Sequence, residues 1–418
     1  MPMKSPLPSG AMSTETRSAF PEGAFGVVQG FEALERDRVS LSQRACPDAG
    51  DFPALVFLVL ARDEAPVLER TLMALTAAVG PSDQIHVVAD QCQDATADIA
   101  ARFAAMVHVR TDGGPPGKGP ALRWWLEQTR NTSSPQQSIV ILDADTLLAP
   151  DFLRAIRRRL AQGEPVIQTS IAPDVGAGGT VARLAAFSEI VEQQVFDAWC
   201  ARLNWPVRLR GTGMVFRRWA LEQAGRRLQT AAEDLELTLL LTSERIPITF
   251  ARETYVIDPK PQDASGAARQ RARWLKGQFQ VLRAYPRLVL QLLILGPPGW
   301  TLLSSALLKP KSLLVPLKIL LTLLACLAVR RWGVVLLPLV GAGVLWLALD
   351  AIGLLYGLRF VKDKRNTLFA LLLSPVYLAM WLSSLALAAF SRERWLRTRP
   401  TTRYEPESGP GNASVTAL

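Results

Sequence analysis

Histidine and cysteine are scarce in this chain. Its 418 residues include two His and four Cys, and Cys46, Cys92, Cys200 and Cys326 form no Cys-x-x-Cys or Cys/His pair at ligand spacing. A disulfide scaffold is thereby excluded, and the thiols read as reduced, facing the cytoplasm or packed in apolar surroundings. His86 and His108 fall in predicted strands and read as structural. A Walker phosphate loop is also missing, because Lys118 is followed by Gly119 rather than Ser or Thr and the glycine spacing fails. The first 45 residues lack an apolar run of secretory-signal length and carry five charges of each sign. Residues 1–50 therefore read as a loosely ordered lead-in without a leader peptide.

Apolar residues are in excess, at 49% of the chain with a mean hydropathy of +0.16. Disorder throughout is excluded, and a wholly soluble enzyme is not expected. The excess lies in residues 288–390, with apolar stretches at 288–308, 313–329, 333–358 and 367–390. A bilayer core takes about 20 helical residues, so the last two stretches read as spans. Residues 313–329 are short and carry Lys318, while 288–308 are interrupted by Gly296-Pro297-Pro298-Gly299, giving a broken span or an interfacial hairpin. Three or four spans are expected, and the basic clusters between them leave the orientation open. The formal net charge is +10. Residues 266–287 hold six basic and no acidic residues, interleaved with Trp274, Leu275, Phe279, Leu282 and Tyr285. Such a segment reads as a basic helix on anionic headgroups. Positive charge beside apolar spans, rather than on the globular half, speaks against a nucleic-acid partner.

From residue 52 to about 255, apolar strands alternate with amphipathic helices: strands at 54–60, 84–89, 107–110 and 138–142, helices at 65–78, 95–105 and 119–128. This pattern predicts a doubly wound, mostly parallel α/β sheet, whose ligands bind beyond the C-terminal strand ends. Arg62-Asp63-Glu64 follows the first strand and Asp90-Gln91-Cys92-Gln93-Asp94 the second. Gly117-Lys118-Gly119 precedes the third helix, and Asp143-Ala144-Asp145 follows the fourth strand. One carboxylate there is an ordinary cap or turn residue. Several on consecutive strand ends crowd negative charge that a cation must share, and Asp143 with Asp145 could hold a hard divalent ion against phosphate oxygens. Lys118, framed by glycines, reads as phosphate-facing. Trp124-Trp125 read as core, and the glycines at 176–179 as a flexible loop.

Further on come Arg210-Gly211-Thr212-Gly213, Ala232-Glu233-Asp234 and Gln270-Arg271-Ala272-Arg273-Trp274. The ordered set (Asp90 loop, Lys118, DxD at Asp143 and Asp145, ED pair, QxxRW) resembles the nucleotide-sugar transferases of glycosyltransferase family 2. The resemblance is closest to the membrane-embedded branch of cellulose, chitin-oligosaccharide, poly-N-acetylglucosamine and hyaluronan synthases. It covers about residues 52–399. The chain departs in having Ala232 where Thr commonly precedes Glu-Asp, and in carrying neither a transmembrane helix ahead of the catalytic domain nor a cyclic-di-GMP domain after the spans. The last two of these argue against a cellulose synthase, while Ala232 loses no group the chemistry needs.

The resemblance implies a GT-A domain at 51–265, the QxxRW segment and basic helix at 266–287, a membrane region at 288–390, and a basic, then disordered tail at 391–418. It implies a UDP-sugar donor, with Asp90 meeting the uracil, Asp143 the ribose, and Glu64, Lys118, Gln270 and Arg273 completing the nucleotide and diphosphate site. Asp145 would coordinate Mg²⁺ or Mn²⁺. Gly211, Thr212 and Gly213 would form an acceptor loop, with Glu233 orienting the acceptor and Trp274 stacking on a sugar ring. Asp234 would be the base of an inverting displacement. Glu233 read without the resemblance is simply a charge capping its helix. The setting implied is the bacterial inner membrane, multi-pass, with a cytoplasmic catalytic domain and lipids as partners. Two modes remain open: elongation of a surface glycan, favoured by QxxRW and needing an oligomer or export partner, and transfer of one sugar to a lipid-linked acceptor. A reading of another class is a non-catalytic nucleotide-sugar-binding or scaffold protein.

Overall fold

A computed structural model describes residues 54–131, 134, 137–175, 179–261, 264–307 and 311–390. The lead-in at 1–50, most of the glycine loop and the tail at 391–418 lie outside them. Strands β1 (Leu55–Ala61), β2 (Gln84–Asp90), β3 (Ala105–Arg110) and β4 (Ser138–Asp143) pair in parallel in the order β3-β2-β1-β4. Helices α1 (Ala65–Ala78), α2 (Thr96–Ala101) and α3 (Lys118–Gln128) connect them. The helix expected at 95–105 stops at Ala101, because Ala105 already opens β3.

Beyond β4 the sheet becomes mixed. β5 (Leu147–Leu148), α4 (Phe152–Ala161), β6 (Val166–Asp174), α5 (Thr180–Val191) and α6 (Ala198–Arg202) precede β7 (Met214–Arg217), which inserts antiparallel between β4 and β6. α7 (Arg218–Gly225) and α8 (Glu233–Ser243) lead to β8 (Ile248–Pro259), parallel to β6 and flanked by β5 at the edge. β1 explains why its sequence is apolar without alternation. Val56, Leu58 and Leu60 face a core with α3, while Leu55, Phe57, Val59 and Ala61 face one with α1. A strand covered on both faces has no solvent side, and each large apolar chain so buried contributes roughly 1.5–3 kcal/mol. Trp125 lies fully in the first core with Trp124 against it.

The C-terminal third is helical. α9 (Ala264–Ala284) follows β8 and carries the basic segment. Rather than lying free on a surface, it is packed on two sides. Ala267, Ala268 and Leu275 meet Met380 and Trp381, and a Cβ on Gly277 would come within 2.7 Å of Ala232. The stretch at 288–308 forms a hairpin of α10 (Pro286–Ile294) and α11 (Pro297–Leu307), closed where a Cβ on Gly299 would strike the Leu292 carbonyl oxygen. α12 (Lys311–Trp332) and α13 (Leu337–Gly357) pack closely where Gly343 meets Thr322. The end of α13 docks on α5, with Gly357 against Val191 and Phe187. The stretch at 367–390, expected as one span, divides at Leu373 into α14 (Lys364–Leu372) and α15 (Ser374–Phe390), and α15 turns Met380 and Trp381 onto α9. Among the described residues, the segment Val334–Phe360, 27 residues containing α13, is long and apolar enough to cross a membrane.

Candidate active site

The parallel strands end in a cleft floored by charged residues. Glu64, Asp90, Lys118, Asp143, Asp145, Gln270 and Arg273 all line it. A second cleft adjoins it, lined by Gly211, Thr212, Glu233, Asp234 and Trp274, and the two share Lys118, Asp143, Asp258, Gln270 and Arg273. Twelve of the thirteen residues singled out in the sequence thus surround one continuous space. Gly213 is the exception. It turns inward with φ +63, and a Cβ there would collide with Thr169 Oγ1. Its role is to let β7 approach β6. Gly211, with φ +88, does border the second cleft, near Glu233 and Lys118. Thr212 is buried, and its hydroxyl accepts the Asp143 backbone N–H at 3.1 Å and meets Thr146 Oγ1 at 2.9 Å. It braces the DxD turn more than it faces an acceptor.

Asp90 is buried at the end of β2. Its carboxylate accepts from Arg110 Nη1 at 2.7 Å and from the Gly117 N–H at 2.8 Å. Each carboxylate oxygen keeps a second lone pair, so Asp90 is fixed in place and still able to accept. Lys118 opens α3, and its Nζ pairs with Asp143. Burial works against its charge, but Asp143 and Glu233 outweigh that and hold its pKa above the ordinary lysine value. Glu64 is pushed up to about 7 by burial and then by Asp143, and Glu233 to about 7 by burial despite Lys118. Asp234 sits in the first turn of α8, with Oδ1 accepting the Leu235 N–H at 2.7 Å and Oδ2 3.5 Å from Arg208 Nη2.

Asp258 escapes the motifs read from the sequence. It follows the run Tyr255-Val256-Ile257, the same apolar-strand-then-carboxylate signature that marks β2 and β4, so the signal that could have found it is present. Its carboxylate lies with those of Asp143 and Asp145, ligand atoms within 4.8 Å of one another. The Asp145 carboxyl is held well above the usual range, by burial first and then by Asp258 and Asp143. Three carboxylates with ligand atoms this close are a donor set that fits a divalent cation. Arg62 stands in the motif after the first strand, but the sequence carries no role for it. It lines the first cleft with Nη1 buried and without a partner among the described residues. His86 and His108 stack mid-strand, 5.0 Å between centroids, against Trp125, and are structural.

The pattern described as glycosyltransferase like family 2 matches residues 53–277. The chain belongs to glycosyltransferase family 2. The α/β domain is the family's GT-A domain. The chain is 26% identical over 263 residues to the beta-monoglucosyldiacylglycerol synthase of Synechocystis sp., covering 60% of this chain and 52% of that protein. It thus spans about half the length of the curated relative it matches. Similar solved structures include the mannosyltransferase PcManGT from Pyrobaculum calidifontis with GDP-Man and Mn²⁺ (17% identity, TM-score 0.45, 89% of this chain and 99% of that one). Another is glucosyl-3-phosphoglycerate synthase from Mycobacterium tuberculosis with Mn²⁺, UDP and glucosyl-3-phosphoglycerate (22% identity, TM-score 0.36, 53% and 79%).

Proposed function

We propose that this family 2 enzyme is a membrane-bound, metal-dependent, inverting transferase that moves a sugar from a UDP-sugar to a hydroxyl of a membrane lipid. One observation carries the choice of acceptor. Arg208 and Arg210 line the cleft beside Asp234 and also a pocket walled by α11, α12 and α13. An acceptor reaching Asp234 from that side arrives through the helices. The lipid product in the name of the Synechocystis relative agrees with this reading. Elongation of a glycan, the mode that the QxxRW resemblance implies, needs spans enclosing a polar channel, and a pocket opening toward single helices serves one-sugar transfer better.

Asp90, held by Arg110, would accept from the base, while Glu64 and Arg62 border the nucleotide. Asp143, Asp145 and Asp258 would hold Mg²⁺ or Mn²⁺, which supplies Lewis-acid stabilisation of the diphosphate. Lys118 and Arg273 add fixed positive charge where the leaving group's negative charge grows, each contact worth about 10²–10³ in rate. Asp234 takes the acceptor proton as the hydroxyl attacks the anomeric carbon opposite the diphosphate, so the centre inverts in one displacement. Glu233, its neighbour in the chain, acts with Asp143 to keep Lys118 charged.

Membranes carrying the protein, incubated with Mg²⁺ or Mn²⁺ and labelled UDP-sugars, should yield label in solvent-extractable lipid. Asp234→Asn should lower that yield by about 10²–10⁴-fold while UDP still binds. Label confined to high-molecular-weight polymer would reject the lipid acceptor, and an Asp234→Asn enzyme of full rate would reject the base.

A further inference from the structure

Asp350 stands within the long apolar segment Val334–Phe360. An ionisable residue in such a helix is costly, faces the bundle interior or a cavity, and commonly marks a substrate path. Here Lys318 of α12 places Nζ 2.5 Å from Asp350 Oδ2 and 4.3 Å from the centre of the Trp346 ring. The pair is not sealed between the helices. Lys318, Trp346 and Asp350 line the pocket whose opposite wall is Arg208 and Arg210, with Thr301 and Ser304 of α11 alongside. Arg208 joins the two sides. Its Nη1 donates to the Ser305 carbonyl at 3.0 Å, its Nη2 faces Asp234, and its Nε is buried without a partner among the described residues.

Charge decides what such a pocket accepts. Three cations line it, Arg208, Arg210 and Lys318, against three anions, Glu192, Asp197 and Asp350. Every cation is already answered: Lys318 by Asp350, Arg210 by Asp197 and Glu192, Arg208 by Asp234. A phosphate brought here would find no unmatched positive charge and would face the carboxylates, which is how a site rejects a wrong ligand. A neutral polyol meets the opposite situation, since hydroxyls can accept from the orphaned Arg208 Nε and donate to carboxylate lone pairs. On the lipid-acceptor reading above, we propose that this pocket seats the uncharged, hydroxyl-bearing headgroup of the acceptor, and that Lys318 and Asp350 hold it in line with Asp234. The acceptor class is then a neutral glycerol- or sugar-headed lipid, and a lipid phosphate is excluded.

The test uses full-length enzyme in mixed micelles with labelled UDP-sugar and either dioleoylglycerol or undecaprenyl phosphate. Label should enter dioleoylglycerol. The double variant Lys318→Met with Asp350→Leu removes both charges together, so that neither is left buried alone. It should raise the KM for dioleoylglycerol about tenfold, the loss of one to two hydrogen bonds, with the Kd for UDP unchanged. Preference for undecaprenyl phosphate would overturn the proposal, as would an unmoved KM in a variant that still binds UDP. Label in neither lipid, or in polymer, would overturn the lipid-acceptor reading itself and this proposal with it. If the double variant fails to bind UDP, Trp346→Ala, on an exposed ring at the pocket mouth, takes its place: a raised KM supports the proposal and an unmoved one overturns it.

Discussion

At the scale of single residues, the site is governed by how negative charge is matched. Asp143 is shared between Lys118 and the carboxylate trio that it forms with Asp145 and Asp258. Asp258 is also held by Lys260, Nζ to Oδ2 2.5 Å, which in turn pairs with Glu189. Removing Asp258 should therefore loosen the cation without emptying the nucleotide site. We expect Asp258→Ala to weaken apparent Mn²⁺ affinity by about 10–100-fold, the range seen when groups around a metal are lost. Titrating Mn²⁺ into the UDP-bound enzyme would measure it. An unchanged Mn²⁺ titration would remove Asp258 from the metal set and leave a two-carboxylate site.

At the scale of elements, α8 does two jobs from one turn. Glu233 and Asp234 face the cleft, while Glu236 is fully buried and accepts from the Gln229 and Thr230 N–H groups at 2.9 Å and from the Tyr285 hydroxyl at 2.5 Å. That clasp fixes the chain entering the helix and ties it to the end of α9. Burial, with Glu236 adding to it, pushes the Tyr285 phenol up to about 12, so it stays protonated and donating. Glu236→Ala would strand these buried donors, at about 1–3 kcal/mol for each unsatisfied group. A fall in Tm together with loss of transfer is expected, and Glu236→Gln should recover part of the Tm. A Tm that Glu236→Ala leaves alone would show that the clasp does not position Asp234.

Elements also mark how far the sequence could be read. The first four strands and the helices between them were legible because their apolar patterns are local, and QxxRW was legible only through the family resemblance, in the order of Gln270, Arg273 and Trp274 after the other motifs. The β6-β7-β8 arrangement was not. It rests on a four-residue strand pairing antiparallel across long separations, and on a register shift between Thr169 and Ser170. Asp258 reaches the site only through that pairing. Arg271, inside the QxxRW motif, points away from the cleft and lies 5.2 Å from the Trp381 ring. That contact, too, belongs to tertiary packing.

At the scale of the whole molecule, two kinds of membrane attachment make different demands. A basic segment held to anionic headgroups is screened by salt. Here, however, α9 spends much of its surface on α15 and on the loop before α8, with Arg271 buried. The apolar surface left outward lies instead on α12 and α13, where Leu345 and Leu355 are more than three-fifths exposed. Contiguous apolar surface of that kind is stable against hydrocarbon or a partner, and not against water. The protein should therefore stay with the membrane fraction through high salt and alkaline carbonate and be released by detergent. Release by salt alone would assign attachment to the basic segment and leave α12 and α13 to be covered by protein. Retention would fit an acceptor that reaches Asp234 from the membrane, through the pocket that α11, α12 and α13 line together with Arg208 and Arg210.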